Sequence, residues 1–349
     1  SFPMELPRYR ERFFKDVPGY ATLVQKNTLE SLDDYITDAG INLADFNGIT
    51  DQVTVDGSLY ELPFRSDYWL IYYNKDVFDA AGIAYPSNDM TMEDYDALAR
   101  QLTDTTYGSQ VYGCHYHTWR SAVELFGILD GKHSILDGNY DWMIPYYDMI
   151  LSEEDDGVCQ TYTDLSTEGL HYSAAFSNGN VAMMNMGSWF ISTLISNLDS
   201  GEYDSSLCGN WGIASYPHPD GAEAGSTIAT ITGLAVTSAS ENKDAAFDFV
   251  NWVSGTEGAK VMASTGNFPA IMTDDVINTI AGMAGFPTDE GSKEALNITN
   301  AYLEVPYAEN VSEINSILDT YHTSIMNREV TVEEGVASMN EQVGKILNQ

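Results

Sequence analysis

Long apolar runs are missing from this 349-residue chain. None approaches the roughly 18 consecutive apolar residues that a membrane-spanning helix needs. Basic residues are scarce as well: 15 Lys and Arg stand against 52 Asp and Glu, leaving a formal charge of −37. Such a surface argues against nucleic acid and anionic membranes as partners, because phosphate-rich surfaces need a positive face, and it favours a neutral or cationic ligand. Cysteines number only three, Cys114, Cys159 and Cys208. Odd in number and widely spaced, they define no disulfide framework, though one pair can form in an oxidising compartment. No Gly-x-Ser-x-Gly elbow, HExxH helix or phosphate-binding glycine loop occurs, and neither does an internal repeat or low-complexity tract. Ser1 carries no signal peptide or lipidation cysteine, and since the first residues already read as the middle of a domain, nothing follows about export.

What is present is a globular chain, 44% hydrophobic and long enough for two domains around a large core. Three helices are written clearly. Thr91 and Asp94 have capping-box spacing ahead of a stripe of Tyr95, Leu98 and Leu102. From Asn242 to Val253 the spacing predicts Ala246, Phe249, Val250 and Val253 buried, with Lys243 and Asp244 outward. Thr331 and Glu334 form a second capping box before Val336, Met339, Val343 and Ile346. Short apolar runs at 70–73, 181–185, 211–214 and 234–236 read as buried strands between helices, which implies an α/β architecture. The stretches 199–209 and 221–226 read as surface loops, and the acidic run Glu153 to Asp156 as a solvated segment between elements.

The densest local signal is Phe64 to Phe78, FRSDYWLIYYNKDVF, where Asp67, Tyr68 and Trp69 stand just before an apolar strand. A carboxylate accepts paired hydroxyls, and flat rings cover the C–H face of a pyranose. The plainer reading is that Tyr68 and Trp69 are strand residues packing a core. Beyond this stretch, Ala175 to Met183 running into Met186-Gly187-Ser188-Trp189, Thr232-Gly233-Leu234-Ala235-Val236 with the helix after it, and Gly266-Asn267-Phe268-Pro269-Ala270 follow in order. Together these four blocks resemble the extracellular solute-binding family that includes maltose-binding protein, the receptor component of sugar ABC importers.

The resemblance implies a two-lobed, periplasmic-binding-protein-like α/β fold with a central cleft and hinge crossings. Residues 1–66 and 235–281 would form the first lobe, and 70–230 and 288–349 the second, with crossings near 66–69, 231–235 and 282–287. The family's opening strand, helix and strand have no counterpart here, so the first lobe is expected to lack about 60 to 80 residues at its start. The resemblance further implies a monomeric, non-catalytic receptor, extracellular and lipid-anchored at the cell surface or else periplasmic. It would deliver an oligosaccharide to a membrane permease without any cofactor. The candidate ligand residues are Asp67, Tyr68, Trp69, Tyr116, Trp119, Trp189, Gly233, Glu5 and Arg8. Trp189 is the leading stacking candidate, because the small residues before it leave room for the ring to swing over a ligand. Trp142, Trp211 and Trp252 read as core, and Glu5 and Arg8 are equally well explained as a solvated helix start.

Three other chemistries compete. Cys114-His115-x-His117 offers zinc-type ligands, but no second pair completes a site, so polar loop residues at the ligand mouth are expected and no metal. A polyamine receptor would also use an Asp and aromatic rings, through attraction of a cation to the ring face. A glycosidase would need two carboxylates facing each other across the sugar, and beyond the lone Asp67 no such pair stands out.

Overall fold

The computed structural model describes residues 12–14, 17–46, 48–106 and 108–348. Its strands in chain order are β1 (Arg12–Phe14), β2 (Leu62–Asn74), β3 (Tyr112–His115), β4 (Val181–Gly187), β5 (Trp211–Ala214), β6 (Thr227–Ala235) and β7 (Ala301–Leu303). The architecture is organised by β2, thirteen residues rich in aromatic and apolar side chains. From Tyr68 to Asn74 every residue is buried, so the strand shows no polar alternation.

β2 changes partners midway. Its first half runs antiparallel to β6, from Leu62 opposite Leu234 to Tyr68 opposite Ala229. The register shifts between Pro63 and Arg65, where proline cannot donate to the ladder. Its second half runs antiparallel to β4, from Trp69 opposite Gly187 to Tyr73 opposite Met183, and also to β5, from Ile71 to Asn74. β1 pairs with β6 on one side, while β3 and β7 are the parallel partners of β4 and β6. The four strands expected from the sequence all exist: those at 70–73 and 181–185 are longer than expected, 211–214 matches, and the one expected at 234–236 starts at Thr227 and stops one residue short, at Ala235. The α/β class holds, although the central pairings are antiparallel because β2 runs against β4, β5 and β6.

Both capping boxes form as expected. Thr91 caps Met92–Leu102 through Asp94, and Thr331 caps Val332–Leu347 through Glu334, whose Val336, Met339, Val343 and Ile346 are all buried. The helix Lys243–Ser254 corrects the expectation in part. It buries Ala246, Phe247, Val250 and Ser254, which rotates Phe249 and Trp252 outward to 46% and 55% exposure. Trp252 is therefore not core; Trp211 is buried and Trp142 half-buried. The acidic run Glu153 to Asp156 is not a solvated link either. It ends the helix Ile144–Asp155, with Glu153 and Glu154 buried and Arg328 pairing Glu154 at 3.3 Å. The 199–209 stretch contains a short helix, Ser205–Cys208, that buries Cys208. Among the described residues no helix is long and apolar enough to cross a membrane.

Candidate functional site

The point where β2 changes partners is also where three tryptophans converge. Trp69 lies on β2 opposite Gly187 of β4. A side chain at Gly187 would have no room, because a Cβ there would stand 2.1 Å from the Trp189 ring. Trp189 opens the helix Trp189–Ser200, and Trp119 lies in the loop between β3 and the helix Ser121–Ile128. The ring centroids of Trp69 and Trp189 are 5.6 Å apart at 84°, those of Trp69 and Trp119 6.5 Å apart at 82°, and those of Trp119 and Trp189 6.2 Å apart at 59°. In this aromatic wall Trp69 is the deepest ring at 1% exposure, and Trp119 forms the rim at 40%. Tyr172 fixes the third ring by accepting a hydrogen bond from Trp189 Nε1 at 3.1 Å, while His117 meets Trp119 edge-on at 4.6 Å.

These rings border a cavity of about 470 Å³, whose polar wall includes Arg120, Thr230, Glu304, Asn315, Asp319 and His322. A smaller cavity of about 200 Å³ shares Thr230, Glu304 and Asn315 and extends to Val17 and Pro18. The wall is tightly wired. Arg120 Nε meets Glu124 Oε2 at 2.6 Å, its Nη2 donates to Asn315 Oδ1 at 2.5 Å, and its Nη1 pairs with Asp319. Thr230 Oγ1 donates to Glu304 Oε2 at 3.0 Å. Burial, helped by the charge of Glu124, pushes the Glu304 carboxyl up to about 7 against the opposing hydrogen bond from Thr230. His322 is driven down to about 3 by burial and then by Arg120, so its ring is neutral, with Nδ1 2.9 Å from the Tyr147 hydroxyl.

A carboxyl, a guanidinium, an amide and a hydroxyl beneath flat rings can hold a polyhydroxylated ring by its edge and cover its faces. A larger hollow of about 790 Å³ lies between Asp148–Asp156 and Arg328–Glu334. It is lined by charged and aliphatic side chains without an aromatic ring, so it offers no stacking surface.

Of the nine residues expected at the site, the structure brings together Trp69, Trp119 and Trp189. Asp67 lies nearby in sequence but faces inward. Its Oδ2 pairs with Arg65 Nε at 2.6 Å, and its Oδ1 accepts from Ser188 Oγ at 2.9 Å. Burial raises its carboxyl, opposed by Arg65 and Ser188. Asp67 therefore pins the partner change of β2 and does not line the cavity. Tyr68 is core, its ring 6.0 Å from Phe268, and Tyr116 is buried between Tyr95 and Phe126. Gly233 makes space for the buried carboxyl of Glu61, since a Cβ there would stand 2.4 Å from Glu61 Oε2. Glu5 and Arg8 lie outside the described residues.

The Cys-His-x-His group does not form a polar mouth. His115 is fully buried and lowered to about 3 by desolvation, while Cys114 faces Glu153 and Cys159 instead. Sequence reasoning missed Thr230, Glu304 and the wall from the helix Val311–Met326. That wall did leave a trace, since Asn315, Asp319, His322 and Thr323 recur at helical spacing on one face. Glu304 is one acid among 52 and left none.

Residues 13–260 match the family of bacterial extracellular solute-binding proteins, which covers well over half of the chain. The chain belongs to that family. It is 47% identical to a sugar transporter from Rhizobium etli whose crystal structure is in an open conformation. The two superpose with a TM-score of 0.90 over 95% of this chain and 84% of that one. An ABC substrate-binding protein from Listeria monocytogenes in complex with cycloalternan, 22% identical, has the same fold with a TM-score of 0.78 over 97% of this chain and 84% of its own. The mannitol-binding protein of Pseudomonas aeruginosa is 24% identical over 223 residues, 62% of this chain. The match spans 49% of that relative, so the chain covers about half the length of the curated protein it resembles. This solute-binding protein therefore has the two-lobed, periplasmic-binding-protein-like α/β fold that the sequence led us to expect.

Proposed function

We propose that this solute-binding protein is a carbohydrate receptor that closes its two lobes around an oligosaccharide and passes it to the permease of an ABC importer. The observation that carries the reading is the three-tryptophan wall of Trp69, Trp119 and Trp189 bordering one cavity with a polar wall that includes Glu304, Thr230 and Asn315. Aromatic faces replace water over the C–H side of a sugar, and the polar wall takes up its hydroxyls. The names of related proteins agree with it, since they include a sugar transporter and proteins in complex with mannobiose and maltose.

On this reading the receptor is monomeric and non-catalytic, and it works outside the cytoplasmic membrane, in the periplasm or tethered at the cell surface. The lobes comprise residues up to 66 with 235–281, and 70–230 with 288–349. The partner change of β2 at Tyr68 and Trp69 supports a crossing there. A ligand that touches both walls only in the closed state shifts the open–closed balance toward closure, and the permease reads that shape.

A thermal-shift and calorimetry panel of mono- and oligosaccharides, with mannitol and polyamines alongside, tests the proposal. Ligand bound to the native state alone raises the melting temperature by mass action. A sugar should do so with little salt dependence; stabilisation by polyamines alone, fading with salt, would replace the reading by a cation receptor. Release of shortened sugars on long incubation would make the protein an enzyme.

A further inference from the structure

Outside the cleft, one buried cluster has no part in ligand binding. Cys114 on β3, Glu153 near the end of the helix Ile144–Asp155, and Cys159 in the segment that follows bring their ligating atoms within 4.8 Å of one another. All three are buried, and the two backbones are already joined, with Cys114 N donating to Val158 O at 3.4 Å. The two sulfurs thus need to close less than about 3 Å, on the order of a side-chain rotation, to reach the roughly 2 Å bonding distance.

We infer that Cys114 and Cys159 form a disulfide in the mature protein, leaving Cys208 as the free thiol. The family is extracellular, and thiols held this close in an oxidising compartment are converted to disulfides. The co-reactant is an external disulfide, either a low-molecular-weight one or that of an oxidoreductase. One cysteine thiolate attacks it, forming a mixed disulfide and releasing one thiolate. The second cysteine then attacks the mixed disulfide, forms the Cys114–Cys159 bond and releases the other thiolate. The two cysteine sulfurs lose two electrons and two protons in all, and the external disulfide takes up both. Because both sulfurs are buried in the finished fold, exchange takes place before the helix Ile144–Asp155 settles against β3.

The same three groups have the chemistry of a metal site, but their surroundings favour the disulfide. Burial holds Glu153 up to about 8 and raises the Cys114 thiol, and at Cys159 the lowering by the hydrogen bond to Cys114 is outweighed by burial together with the nearby carboxylates; a divalent ion would have to displace three protons, whereas a disulfide is neutral. The bond would close a loop of about 45 residues, which restricts the unfolded chain. It would also fix the strand that leads to Trp119, five positions beyond Cys114.

The test uses the full chain secreted into an oxidising compartment, denatured and alkylated with N-ethylmaleimide before and after reduction. One label before reduction, three after, and a cross-linked peptide pair containing Cys114 and Cys159 are expected. Reduction, or Cys114→Ser with Cys159→Ser, should lower the melting temperature by several degrees, while Cys208→Ser should remove the one label seen before reduction and leave the Cys114–Cys159 pair intact. Three labels without reduction would overturn the inference, and zinc in stoichiometric amount would then assign the cluster to a metal. A disulfide that includes Cys208 would overturn it as well.

Discussion

Ser188 and Asp67, 121 positions apart, are joined where β2 exchanges one set of partners for the other: Ser188 Oγ donates to Asp67 Oδ1 at 2.9 Å. The same hydroxyl accepts from the backbone N–H of Tyr68 at 3.2 Å, and the Ser188 N–H donates to Tyr68 O at 2.8 Å. Ser188→Ala therefore strands a buried backbone donor and removes one of the two hydrogen bonds to Asp67 Oδ1, leaving only the one from Arg65 Nη2 at 3.2 Å. An unsatisfied buried polar group costs about 1–3 kcal/mol, so the variant's urea midpoint should fall accordingly while its fold persists. An unchanged midpoint would show that the pin contributes nothing to the crossing.

The tryptophan wall should separate binding from stability according to depth. Trp119, at 40% exposure, has little to lose in the free protein. Trp119→Ala should leave the melting temperature almost unchanged yet weaken sugar binding by about 2 kcal/mol, roughly 30-fold. Trp189→Ala should also weaken binding and remove most of the fluorescence change that ligand induces. Calorimetry showing full affinity in both variants would move the sugar away from these rings.

Gly187 supplies a finer probe of the same wall. Its missing side chain is where the Trp189 ring sits, with the ring atom Cζ3 2.1 Å from a Cβ placed there. Gly187→Ala must push the indole aside, so affinity should fall although no contacting side chain has been removed. A variant that binds normally and shows an unmoved Trp189 would mean that β4 gives way instead.

Much of this was legible in the sequence, and the exceptions share a cause. Trp69 and Trp189 could be chosen because their neighbours, a strand run and a Gly-Ser step, signal position as well as chemistry, whereas Trp119 was a candidate through the family resemblance. Asp67 misled because sequence shows a carboxylate beside two rings but not that Arg65, two positions away on the same strand, turns with it. Tyr116 misled because nothing in Cys114 to Trp119 marks where β3 ends and the wall begins. Phe249 and Trp252 show the limit of helical periodicity: Phe247 and Val250 serve a buried stripe as well as Phe249 and Val253 do, and only the packing of Lys243–Ser254 decides between them. Glu304 becomes a site residue solely through the approach of β7 to β6.

Two buried acids, Glu61 and Glu153, and the half-buried Glu304 give the protein a pH dependence of unusual sign. Glu304 keeps its proton in the folded state up to about 7, whereas its ordinary value is 4.5; Glu61 and Glu153 are raised by burial to about 8. Between the unfolded and folded values the native state binds more protons, so stability falls as pH rises through that window and stays lower above it. For Glu304 alone the loss is on the order of 3 kcal/mol between pH 4.5 and 7, taking about 1.4 kcal/mol for each unit. Denaturation midpoints should therefore be higher at pH 5 than at pH 8, and Glu304→Gln should flatten part of that slope. A slope of the opposite sign would show that these carboxyls are ionised in the fold.

Arg120 is the strongest test of how the wall is held. Its side chain, 4% exposed, joins Glu124, Asn315 and Asp319, and Glu124 is fully buried with Arg120 as its ion-pair partner. Removing one member of a buried pair costs about 3–5 kcal/mol, because the other charge is left uncompensated in a poorly polarisable interior. Arg120→Met should thus be severely destabilising, and Arg120→Met with Glu124→Leu should recover most of the loss, since the pair owes its cost to desolvation. Arg120→Lys should fall between them, keeping the charge but losing the planar fork that reaches three partners. Urea midpoints for the four proteins decide the matter: a double variant no better than Arg120→Met would place the stabilisation in the contacts to Asn315 and Asp319 rather than in the buried pair.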